Sequence, residues 1–142
     1  MRPRPTSTLA LLAILSVPAW GCGSKSAHPE TVPVHGKVTY KGQPVAKGTI
    51  TFQSDGGQAA TGEIQPDGAY QLSTFSERDG ALPGHHKVMI IADDSDPTQM
   101  PGSSPGYKTP KALVPKKYET FEKSGLEANV TKDKPDIDFE LK

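Results

Sequence analysis

Three groups of residues in this chain have types and spacings that could do chemistry. Gly102-Ser103-Ser104-Pro105-Gly106 spells G-x-S-x-G, the pattern of a hydrolase nucleophile elbow. That elbow works because a strand-to-helix turn lifts the serine hydroxyl beside an oxyanion hole. Here Pro101 and Pro105 bracket the serine and no helical periodicity follows, so a loop accounts for the letters better. His85 and His86, with His35, offer imidazoles to a metal. Neighbours on a strand face opposite ways, which keeps His85 and His86 off one ion, and zinc wants three or four ligands. His86 therefore reads as an inward imidazole at the core or its rim. Asp93-Asp94-Ser95-Asp96 gathers the hard oxygens calcium prefers, without the glycine and distal glutamate of an EF-hand loop, and reads as a solvated strand exit. Asn129-Val130-Thr131 matches a glycosylation sequon, but inside an expected strand.

The one cysteine carries more information than any of these. Cys22 has no partner for an internal disulfide. Arg2 and Arg4 precede the apolar run Leu9-Ala10-Leu11-Leu12-Ala13-Ile14-Leu15-Ser16-Val17, and small residues lead on to Gly21-Cys22. A basic start, a short apolar centre and a small-residue site describe a secretory signal. The run falls short of the roughly 20 apolar residues that cross a bilayer. Ala19-Trp20-Gly21-Cys22 resembles the bacterial lipobox, in which signal peptidase II cuts before a cysteine that carries lipid such as palmitate. Ala19 stands where Leu is usual and Trp20 is bulky for its place; ordinary cleavage, leaving a free thiol, is the alternative. The expected organisation is a lipoprotein signal peptide at 1–21, a lipid-anchored polar tether at 22–32 and one domain at 33–142. Gly23 follows Cys22 where an aspartate could favour inner-membrane retention, which points the anchor to the outer membrane.

The elements that position these residues follow from composition and periodicity. A chain of 142 residues suits one domain. Gly and Pro number 14 each, and that much punctuation favours short strands joined by turns over long helices. Apolar residues make up 34% of the chain, part of them in the leader, so the core is thin. Removing Arg2 and Arg4 leaves 14 basic against 16 acidic residues, with no basic stripe, which argues against nucleic acid.

Val34, Gly36, Val38 and Tyr40 alternate with polar residues in the period of a half-buried strand, and Lys41-Gly42-Gln43-Pro44 reads as a turn. Ile50 and Phe52 share a face of a second strand, which the glycines of Ser54-Asp55-Gly56-Gly57 close as a hairpin. Ala60, Gly62 and Ile64 line a third strand, Pro66-Asp67-Gly68 turns the chain, and Tyr70 and Leu72 point inward from a fourth. After a loop at 76–84, His86, Val88, Ile90 and Ala92 mark the longest strand. Leu126, Ala128 and Val130, then Ile137, Phe139 and Leu141, complete seven. Seven short strands with frequent turns predict an all-β, Ig-like sandwich. Between them, 93–125 is rich in proline and poor in periodicity, with room for a short helical turn at 111–121. A loop this long is expected to be functional or mobile, and it is placed at one end of the sandwich.

These landmarks resemble a known family. Val34-His35-Gly36-Lys37-Val38-Thr39-Tyr40-Lys41-Gly42-Gln43-Pro44-Val45 looks like the opening of carboxypeptidase regulatory-like domains, which have a transthyretin-like fold. Gly62-Glu63-Ile64-Gln65-Pro66-Asp67-Gly68-Ala69-Tyr70-Gln71-Leu72 resembles the family's central strand, turn and aromatic strand, and Gly80-Ala81-Leu82-Pro83-Gly84 continues it. The stretch from Val114-Pro115-Lys116-Lys117-Tyr118 through Ser124-Gly125-Leu126 to Phe139-Glu140-Leu141 is similar to small lipoproteins abundant in planctomycete bacteria. His86 departs from the pattern, which often carries Tyr there. The hydroxyisourate hydrolases share the fold type but end in Tyr-Arg-Gly-Ser, whereas this chain ends Phe139-Glu140-Leu141-Lys142. The resemblance implies an extracytoplasmic β-module without catalysis and without a cofactor.

The expected function is that of a non-catalytic cell-envelope lipoprotein, held to the membrane by Cys22, that binds or scaffolds. Its partner is an envelope protein or polysaccharide met through 93–125. The alternatives are a calcium-dependent carbohydrate or surface-adhesion module using the acidic run, and a serine hydrolase built on Ser104 and a histidine.

Overall fold

The structure is a computed structural model that describes residues 28–95 and 108–142. The leader 1–21, Cys22 and the serine motif at 102–106 lie outside the described residues. The described chain forms eight strands: β1 (His35–Tyr40), β2 (Gln43–Pro44), β3 (Gly48–Ser54), β4 (Ala59–Ile64), β5 (Ala69–Gln71), β6 (Gly84–Ile91), β7 (Leu126–Val130) and β8 (Phe139–Leu141). Seven coincide with the alternating runs of the sequence. The eighth, β2, lies within the stretch expected to be all turn. Lys41 and Gly42 take φ of 50° and 78°, so a two-residue primed turn already reverses the chain, and Gln43 and Pro44 pair back onto Tyr40 and Thr39.

Two sheets face each other. One has the order β4-β3-β6-β7, antiparallel throughout. In the other, β1 is central: β5 and β2 pair with it antiparallel, and β8 pairs with it in parallel. Strand alternation sends Val38, Ile50, Phe52, Val88, Ile90, Val130 and Leu141 into the space between the sheets, where each is almost wholly buried. This is an all-β sandwich.

The aromatic side chains bridge the two layers. Phe52 of β3 has its ring centroid 6.2 Å from Tyr70 of β5 and 5.9 Å from Phe139 of β8, both across the interior. The Tyr70 hydroxyl donates to the Ile137 carbonyl at 2.5 Å, so the buried ring brings no unpaired oxygen. The chain changes sheets at the β4–β5 connection, where the Thr61 and Ser73 backbones pair across the seam. Gly62 makes the crossing possible: a Cβ there would stand 2.6 Å from the Gln71 carbonyl oxygen, closer than van der Waals contact allows.

The segment 93–125 is not wholly irregular. Its start pairs with a later stretch of the same segment, Asp93 with Ala112, and the Leu113 N–H donates to the Ala92 carbonyl. Val114 and Tyr118 are then buried, a 3-10 turn runs over Lys116–Glu119, and a single helical turn α1 covers Phe121–Ser124. Gly125 ends α1 at φ 61°, the left-handed conformation that suits glycine after a helix. The anchor of this turn is Ser124, whose hydroxyl donates to the Val88 carbonyl of β6 at 2.5 Å. Periodicity cannot show such packing, since it rests on two buried side chains and one hydroxyl.

The Phe52 bridge has a measurable weight. Phe52→Ala is expected to destabilise by about 3–5 kcal/mol, while Phe52→Leu, which keeps most of the volume, should cost roughly 1 kcal/mol. Urea midpoints of the two variants test this; an F52A midpoint equal to the parent's would remove the bridge from the fold's support.

Candidate functional site

The three described histidines named by the sequence are placed apart. His86 faces the interior, 1% exposed, with its ring edge toward Phe52 and Nδ1 3.0 Å from the Gly84 carbonyl oxygen. Burial pushes its pKa below the ordinary imidazole value, against a smaller opposing pull from that carbonyl. His85 lies on the outer face of the same strand, Nδ1 3.1 Å from Asp55 and Nε2 3.5 Å from Glu127. The Asp55 carboxylate above all, opposed by desolvation and helped by Glu127, raises its pKa. His35 pairs with Asp136 at 2.9 Å at the start of β1. The strand alternation that separates His85 from His86 thus holds in space.

The acidic run serves the neck of the 93–125 segment. Asp93 accepts the Ser95 N–H at 3.0 Å, and its carboxyl is held below the usual range by the Ser95 hydroxyl and N–H. Asp94 accepts the Lys111 N–H at 2.5 Å, and its own N–H donates to the Lys111 carbonyl. Calcium at this run would compete with bonds that close the neck. Asp96 and Ser104 lie outside the described residues. Among the described residues no three His, Cys, Asp or Glu side chains gather as metal ligands, and no helix is long and apolar enough to cross a membrane.

Strand direction sorts the connections into two ends. At one, the chain enters: His28 stacks on Phe75 at 4.4 Å, Glu30 meets Lys132 at 2.8 Å, and Val32 pairs with Ala81. The loop beside it turns on Asp79, whose carboxylate accepts the N–H groups of Thr74, Phe75 and Ser76. Partial burial pushes the Asp79 carboxyl up, but those backbone donors outweigh it and hold it below the usual range. This loop, with the β4–β5 seam, borders an open groove of about 690 Å³ lined by His35, Glu63, Tyr70, Gln71 and Arg78 among others.

The other end carries the 93–125 segment. Here Tyr118 is buried, and its hydroxyl donates to the Lys142 carbonyl at 3.1 Å while accepting the Lys142 N–H at 3.0 Å. Burial alone would raise the phenol's pKa; the Lys142 backbone and the Lys117 ammonium more than offset that and lower it. Lys41 joins the same place, its N–H donating to the Leu141 carbonyl at 3.1 Å. Sequence reasoning placed the segment at one end of the sandwich but missed the Tyr118 clamp and the Asp79 cap. The cap had a signal, an aspartate just before a glycine in a polar loop; the clamp joins positions 24 apart in sequence and had none.

Comparison of the chain with protein-family models, with curated proteins and with solved structures found no match in any of the three.

Two titrations follow from this geometry. Followed by NMR, His86 should titrate below, and His85 above, the ordinary imidazole range; the reverse order would contradict the inward and outward placement. For Asp79 the native carboxyl binds protons less readily than the unfolded one, so its stabilisation is present at neutral pH and lost as pH falls through the carboxylate range. Asp79→Asn should lower Tm by roughly 4–8 °C, the effect of about 1 kcal/mol in a domain of this size, and flatten that acid dependence. An unchanged acid profile would remove Asp79 from the account.

Proposed function

We propose that the chain is a non-catalytic lipoprotein of the cell envelope, a β-sandwich held to a membrane through an acylated Cys22 and presenting its 93–125 end to an envelope partner. The observation that carries this reading is the opposition of the two ends. The chain coming from Cys22 docks through His28, Glu30 and Val32 at one end, and the 93–125 segment leaves β6 at the other. A tether at one end and a partner surface at the opposite end is the arrangement an anchored binding module needs. Support also comes from the basic, apolar and small-residue order of residues 1–21 before Cys22, and from the motifs at 34–45 and 62–72 that resemble carboxypeptidase regulatory-like domains.

The three histidines named by the sequence are held apart rather than gathered into one site. Each has a structural partner: His35 an aspartate, His85 two carboxylates, His86 a backbone carbonyl within its own strand.

Intact-mass analysis of the protein extracted from its native membrane tests the anchor. The expected mass begins at Cys22 and includes acyl chains, and Cys22→Ser should move the protein to the soluble fraction. A chain that begins elsewhere, or an unmodified thiol, would overturn the lipoprotein reading.

A further inference from the structure

The strands at the margins of the two sheets are closed off, with one exception. β4 and β5 are stitched to each other: Thr61 exchanges backbone bonds with Ser73, and the Gln65 N–H donates to the Ala69 carbonyl. β2 is two residues long and ends on Pro44, which has no N–H to offer a neighbour. β8 is three residues long, and the Tyr118 hydroxyl takes the N–H and C=O of Lys142 where that strand ends. β7 spans five residues, Leu126–Val130, with no lysine, proline or bulge, and among the described residues no strand pairs with its outer side. An edge left in that state offers its unpaired backbone groups to another chain.

The register across the sheet fixes which groups those are. Thr61 gives its N–H and C=O to Ser73, so its partner Thr51 turns the other way and bonds Met89. Val88, His86 and Gly84 therefore turn toward β7 and bond Leu126, Ala128 and Val130. Glu127 and Asn129 are left with N–H and C=O directed off the sheet. Their side chains are exposed on the outer face, where His85 Nε2 stands 3.5 Å from the Glu127 carboxylate. Leu126, Ala128 and Val130 face the interior, and Leu126 is only half-buried there.

We propose that β7 is a dimerisation edge, pairing antiparallel with β7 of a second copy of this chain about a twofold axis at Ala128. The sequence around Ala128 is self-complementary in that register. Glu127 lies opposite Asn129 of the second copy, and each such pair exchanges N–H and C=O, so every free group of β7 finds a partner. The Asn129 amide faces a carboxylate it can donate to. On the inner side Leu126 meets Val130 of the second copy and Ala128 meets its own counterpart, apolar against apolar. An axis at Glu127 or at Asn129 would bond a single pair, and the first would set carboxylate against carboxylate. A twofold contact of this kind closes on itself and does not extend into a fibre. The seam is small beside the roughly 1,200–2,000 Å² of stable interfaces, so the dimer is weak and depends on concentration. The pairing does not rest on the anchor. It sends the two tethers out at opposite ends, so a paired copy lies along a membrane and an upright copy is unpaired.

The test uses the full chain carrying Cys22→Ser, so that the only thiols are introduced ones. Sedimentation velocity from micromolar to millimolar protein should show a monomer–dimer equilibrium. Asn129→Pro removes a donor that no bond within the chain uses, so it should leave Tm nearly unchanged and weaken dimerisation at least about tenfold. Glu127→Cys with Asn129→Cys should form an intermolecular disulfide under mild oxidation, because a bonded antiparallel pair holds its Cα atoms about 5.5 Å apart. Either cysteine alone should stay monomeric, since only the other registers set like positions opposite each other. Should the proline unfold the chain, the cysteine variants still decide. A monomer at every concentration overturns the proposal and leaves β7 to an extended segment of another protein. A dimer that folded Asn129→Pro does not weaken, or one that a single cysteine locks as readily as the pair, overturns it as well.

Discussion

Phe52 reaches from β3 into a space that neither sheet could close alone. It meets Tyr70 and Phe139 of the facing sheet and His86 of its own, all at ring distances near 6 Å. A chain with only 34% apolar residues has few large side chains to spend on an interior, and a two-layer sandwich exists only if its layers share one. Each ring must therefore contact both sheets, and polar atoms that come with the rings must be paired inside. The Tyr70 hydroxyl on the Ile137 carbonyl and the His86 ring on the Gly84 carbonyl meet that condition. Gly62 meets the geometric one, since a Cβ there would press on the Gln71 carbonyl where β4 hands over to β5.

This shared interior also separates the surface into two unlike ends. Strands that run the length of the sandwich deliver their connections to one rim or the other, so charges distant in sequence become neighbours. Glu30 meets Lys132, and Lys41 comes beside Lys142, because β1 is flanked by β8 in parallel. The 93–125 segment is tied at its neck by Asp93, Asp94 and Lys111 and pinned along its return by Tyr118 and Ser124. In the proposed orientation the tether rim faces the membrane, and the rim bearing Tyr118 stands away from it.

Much of the fold was legible before any coordinates. The inward positions Val34, Val38, Ile50, Phe52, Tyr70, Leu72, Val88, Ile90 and Val130 were all readable from alternation, and so was the inward turn of His86 against the outward turn of His85. Alternation is local, set by the pleat of each strand, and needs no knowledge of the partner strand. The β2 strand was missed because pairing of two residues depends on how tightly Lys41 and Gly42 turn. The 3-10 turn at Lys116–Glu119 lies within the stretch 111–121 where a helical turn was expected, whereas α1 at Phe121–Ser124 continues beyond it, supported by a serine bonded across to β6.

The residue order alone determined the class of fold, the faces of its strands, the opposed histidines and the single cysteine behind an apolar leader, because each of these depends on nearest neighbours along the chain. Tertiary structure decided which strands pair, that β8 lies parallel to β1, that the acidic run fastens a loop, and that Tyr118 clamps the backbone of Lys142. These depend on contacts between segments as much as a hundred residues apart, where many pairings satisfy the same local pattern and only the shared interior selects one.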